Sequence, residues 1–164
     1  MSLKTAKTLQ IIAFALFAFA LLLSVVSIFA QNLFKSLFGA PSDAYDIRVI
    51  PYQPILYCFV RTVLALIYLL IICGHPTRKG TIAITIVMTI LFVLLDTVIS
   101  PVVGTTITFL TGNSGGALSL AATNAVVNGV QLITRFFTIP AALLMFLSLG
   151  GACGKDYRLA GRQN

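Results

Sequence analysis

Four long apolar stretches alternate with short polar segments along the chain, at about 9–33, 54–73, 81–100 and 121–149. Each reaches the ~20 residues that a helix needs to cross a bilayer. Inside them the polar and small residues recur at helical spacing. In the first, Ala13, Ala20, Ser24, Ser27 and Gln31 share a face that is expected to meet other helices, with Phe14, Leu21, Leu22 and Ile28 turned to lipid. The second aligns Tyr57, Arg61 and Tyr68, and the third aligns Thr85, Thr89, Asp96 and Ser100. In the fourth, Asn124, Asn128, Gln131, Arg135 and Thr138 follow at steps of four, three, four and three, which places them on one narrow stripe.

The connections set the order of packing. The seven residues from Gly74 to Gly80 make a tight turn, so the second and third spans are expected to be antiparallel neighbours. A loop at 34–53 is expected to open with a short interfacial helix, because Phe34, Leu37 and Phe38 fall at i, i+3 and i+4. Pro51 and Pro54 then punctuate the approach to the second span, and Tyr45, Tyr52 and Tyr57 supply an aromatic belt. Pro101 ends the third span, leaving 101–120 as an uncharged second loop. The fourth stretch exceeds the length of one span, with Gly129 and Pro140 as points of flexure. Ala117, Ala121, Ala125 and Gly129 repeat every four residues, a small-residue ridge suited to close packing against another helix. The fold expected is an all-α antiparallel bundle of four transmembrane helices in one domain.

Composition agrees with this reading. Hydrophobic residues make up 59% of the 164, charged residues only 9%, and mean hydropathy is +1.02, leaving no polar stretch long enough for a soluble domain. The net charge of +7 would suggest nucleic acid in a soluble chain, but here the bases flank the spans. Lys4 and Lys7 precede the first, Arg78 and Lys79 separate the second and third, and Lys155, Arg158 and Arg162 follow the fourth, against Lys35 and Arg48 in the opposite loops. The positive-inside rule makes both termini cytoplasmic, in the plasma or cytoplasmic membrane, with no nucleic-acid partner. The first apolar run is longer than a signal-peptide core and lacks a good cleavage site, so it is expected to remain as a span.

Candidate chemistry is sparse. The chain has no glutamate, one histidine in the basic turn at His75, and three cysteines, Cys58, Cys73 and Cys153, without a metal or redox spacing. No catalytic set, metal site or cofactor motif is present, and no enzymatic role is expected. What stands out is Arg61, Asp96 and Arg135, one charge in each of three spans. Measured from the cytoplasmic ends they lie roughly 18, 22 and 21 Å up. A charge in hydrocarbon faces the bundle interior and has a partner. The three could form an intramembrane salt bridge that clamps the helices. Alternatively the surplus positive charge, with Gln131, Asn128 and Asn124 nearby, forms a site for a small anion or anionic lipid. Two functions follow from these readings: an accessory or scaffold subunit of a membrane complex, with a protein partner or as a homo-oligomer, and an oligomeric transporter or channel for a small anionic solute.

Overall fold

In a computed structural model, residues 3–73, 78–95 and 117–152 are described. They form helices α1 (Leu3–Val26), α2 (Gln31–Leu37), α3 (Tyr52–Cys73), α4 (Arg78–Leu94) and α5 (Ala117–Ala152), with a 3-10 turn at Ser42–Ala44. No strand occurs among the described residues. Three of the helices, α1, α3 and α5, are long and apolar enough to cross a membrane. The third predicted span begins in α4, 17 residues long, and its remainder at 96–100 lies outside the described residues. So do His75, Pro101, most of the second loop at 101–116, Cys153 and the basic residues that follow it.

The first span is shorter than its apolar run. Helix α1 stops at Val26 rather than near residue 33, and the next turns tighten to three-residue bonds, Ile28 N–H to Val25 O at 3.1 Å and Phe29 N–H to Val26 O at 3.0 Å. Two serines sit at the break: the hydroxyl of Ser24 donates to Leu21 O and that of Ser27 to Ser24 O, drawing carbonyls away from the regular ladder. The chain re-enters helix at Gln31, so the interfacial element predicted from Phe34 onward begins three residues earlier. It ends at Gly39, which has φ +66°. There Ala40 N–H reaches Lys35 O at 2.9 Å and Gly39 N–H reaches Ser36 O at 3.3 Å, a Schellman termination that favours glycine. Helix α3 starts two residues before the expected 54, because Pro54 falls in its first turn, where a missing N–H is tolerated. Helix α5 likewise starts at Ala117, inside the expected loop at 101–120, and runs past 149 to Ala152; Ala and Leu dominate its first turns.

Two apolar clusters hold these elements. The inner one joins Ala13 and Phe17 of α1, Ala65, Tyr68 and Ile72 of α3, Met88 and Phe92 of α4, and Ala141, Met145 and Leu149 of α5. The ring of Phe92 lies 6.1 Å from that of Phe17 and 5.9 Å from that of Phe146, so one α4 side chain touches two other helices. Small residues let α1 approach closely: Ala6, Ala13 and Ala20 are fully buried, with Ser24 and Ser27 on the same face, as their spacing predicts. Polar links cross the same contacts. Gln10 Nε2 donates to Ala65 O of α3 at 3.0 Å, and the Ser148 hydroxyl of α5 donates to Ala6 O at 2.8 Å.

The second cluster seats α2 and the first loop on α5, through Phe34, Val49, Ala122, Val126 and Val130. Phe34 fits the notch left by Gly129. A Cβ built on that glycine would lie 2.4 Å from Phe34 Cδ1 and 2.9 Å from its Cγ. The loop itself is held from α2. Val49 N–H donates to Gln31 Oε1 at 2.8 Å, and the Lys35 ammonium donates to Tyr45 O at 3.1 Å and also to Ile47 O.

Candidate functional site

One cavity of about 470 Å³ lies between α3 and α5, within the size range of small-molecule sites. From α3 it is lined by Gln53, Pro54, Tyr57, Cys58 and Arg61, and from α5 by Gln131, Thr134, Arg135, Thr138 and Ile139. It starts at the first turn of α3 and reaches Arg61, nine residues on, about 13 Å along the axis. The first turn of a helix carries a partial positive charge, and two guanidinium groups add to it. Among the described residues no carboxylate lines the cavity.

Each lining helix explains its own side chains. Residues 54, 57, 58 and 61 recur at steps of three, one and three, and residues 131, 134, 135 and 138 repeat the same steps, so each set forms one face of its helix. Arg61 is half-buried, and its Cζ sits 4.3 Å from the Tyr57 ring centroid and 6.0 Å from that of Phe92. The aromatic faces stabilise the cation where water is scarce. Arg135 is exposed at the side of the same cavity. Thr134 is buried, its hydroxyl shared between Val130 O at 2.8 Å and Gln131 O at 3.2 Å, and Thr62 donates to Cys58 O at 2.7 Å. Cys58, also buried, lies beside the hydroxyls of Thr134 and Ser24, where α1, α3 and α5 meet.

Of the residues singled out by periodicity, Arg61, Gln131 and Arg135 come together in this cavity, and Thr138 joins them. Asn124 and Asn128, on the same helix, are exposed nearer its start and do not line it. Asp96 lies outside the described residues, and among those described no salt bridge is present. On the small-residue ridge, Ala125 is buried, Ala121 is half-buried and Gly129 receives Phe34 of this chain, while the side chain of Ala117 is outside the description. Tyr57, expected in the aromatic belt, lines the cavity wall. Gln53, Thr134 and Ile139 carried no expectation, and Cys58 none as a cavity residue; Thr134 and Cys58 each lie three residues from a flagged residue on the same face, a step that could have pointed to them.

Outside the cavity the polar centre of the first loop is Lys35, 1% exposed. Burial pushes its pKa below the ordinary lysine value, and Asp46 opposes that shift. Among the described residues no group of three His, Cys, Asp or Glu side chains converges as a metal site. The chain matches no protein-family model, no curated protein and no solved structure.

Proposed function

We propose that this chain is a four-span membrane protein of the plasma or cytoplasmic membrane, with both termini cytoplasmic, that binds a small anionic group in the outer half of the bilayer. One observation carries the reading: Arg61 and Arg135, from separate helices, line one cavity together with the polar side chains of Gln53, Gln131 and Thr138. Guanidinium groups bind carboxylate and phosphate oxygens in pairs, and Gln53, Gln131 and the Thr138 hydroxyl offer further donors. Binding of this kind serves a transporter, a channel or a sensor equally. The test is titration of the purified protein with anions. Arg135→Gln is expected to weaken binding by about tenfold, the loss of a charged hydrogen-bonding group. Asp96→Asn separates this reading from an internal clamp: a clamp loses thermal stability, whereas a site that competes with Asp96 for the arginines binds its anion more tightly.

An accessory role draws on a different observation. Leu132, Phe136, Ile139 and Leu143, at steps of four, three and four, leave an exposed apolar stripe on α5 wide enough for acyl chains or for a partner helix. Native mass spectrometry of gently solubilised protein distinguishes the two. A second protein in fixed ratio supports the accessory reading, and a retained anion supports the site.

A further inference from the structure

We infer that the anionic group is the phosphate of a membrane amphiphile, an anionic glycerophospholipid of the outer leaflet, received sideways between α3 and α5. The inference rests on the anion-binding reading above and names its ligand class. The ten described lining residues come from two neighbouring helices, and two of them, Arg135 and Ile139, are exposed, so the cavity opens sideways between α3 and α5. Its charges are graded along that direction, with Arg135 exposed and Arg61 half-buried against Tyr57. A phosphate arriving from the lipid side meets Arg135 first and Arg61 after it. The volume of about 470 Å³ far exceeds the ~30 Å³ of a water and suits a headgroup with its glycerol better than a single inorganic ion.

The apolar part of the same molecule has a place as well. Ile139, 57% exposed, forms both part of the cavity lining and part of the outer stripe that continues through Leu143 and Leu147 toward the far end of α5. Phosphate at the arginines therefore puts acyl chains along an apolar track that begins at the cavity itself. A free anion needs no such track, and a zwitterionic lipid gains less from two guanidinium groups than one of net negative charge.

The full chain is placed in nanodiscs of phosphatidylcholine containing a minor fraction of phosphatidylglycerol, and retained lipid is read by native mass spectrometry, beside thermal stability in detergent with inorganic phosphate. Phosphatidylglycerol is expected to be enriched on the wild type at least about tenfold over its share of the disc, to return to that share in Arg135→Gln, and to stay enriched in the loop variant Arg48→Gln. Ile139→Trp, at an already exposed position, is expected to exclude the lipid by filling the lateral opening. Stabilisation by inorganic phosphate that depends on Arg135, without lipid enrichment, overturns the lipid assignment and leaves the anion site standing. Absence of both effects in folded protein overturns both. Enrichment that survives Arg135→Gln and Ile139→Trp places the lipid elsewhere and overturns the inference.

Discussion

Gly129 shows how a single missing Cβ can position a segment. Because Phe34 Cγ and Cβ, and not only its ring edge, lie within 3.1 Å of the site a methyl would occupy, relief requires movement of α2 itself. Gly129→Ala is expected to cost about 1–3 kcal/mol, as overpacking does, and to be partly rescued by Phe34→Ala in a double-mutant cycle of thermal stability. Additive losses would show that the two residues do not share the notch. Gln10 is the opposite case. Its Nε2 bonds Ala65 O, but its buried Oε1 has no hydrogen-bond partner among the described residues. Gln10→Met removes one bond and one unsatisfied acceptor together, so stability is expected to change by less than about 1 kcal/mol. A much larger loss would mean that Oε1 is satisfied by a group beyond those described. The sequence marked the glycine as part of a packing ridge, yet spacing alone could not say that its counterpart is a phenylalanine of the same chain.

At the level of elements, α2 and the loop after it act as one capped unit because Lys35 and Gln31 hold three backbone groups of residues 45–49. Lys35→Met leaves two carbonyls without their donor and is expected to raise protease sensitivity within residues 38–50, with a stability loss of about 1–3 kcal/mol. The pH dependence follows from the lowered Lys35 pKa. The folded state releases this proton at a lower pH than the unfolded chain, so the cost of burying the ammonium is fully present below the folded value. That cost disappears as pH rises toward the ordinary lysine value. Wild-type thermal stability relative to Lys35→Met is expected to increase as pH rises toward the ordinary lysine value, and a constant difference would count against the burial effect. Helical faces were the most legible feature of the chain: Ala13, Ala20, Ser24, Ser27 and Gln31 are all buried, as their period requires. Helix ends were less so, since the break after Val26 depends on serine hydroxyls competing for backbone, which hydropathy does not register. The cavity was legible in its charges and not in its walls. Arg61 and Arg135 stand out in any apolar run, whereas Thr134, Cys58 and Ile139 are ordinary residues of a membrane helix until two helices are set side by side.

For the whole molecule, the proposed topology turns the first loop outward. Asp43 is exposed within the 3-10 turn, so Asp43→Cys is expected to react with a membrane-impermeant maleimide on intact cells, whereas native Cys73, exposed at the far end of α3, reacts only after permeabilisation. Reaction of Cys73 alone would reverse the topology, and reaction of both on intact cells would show that the two positions are not on opposite faces. With 36 residues, α5 is about 54 Å long, well beyond a hydrocarbon core of ~30 Å. Such excess length is ordinarily absorbed by tilting, which adjusts to the thickness of the surrounding bilayer. Here Phe34 is wedged at Gly129, and the loop hung from α2 leads directly into the first turn of α3. A change in tilt must carry these parts together and alter the spacing between Gln53 and Gln131, so bilayer thickness becomes a variable that sets how wide the cavity stands.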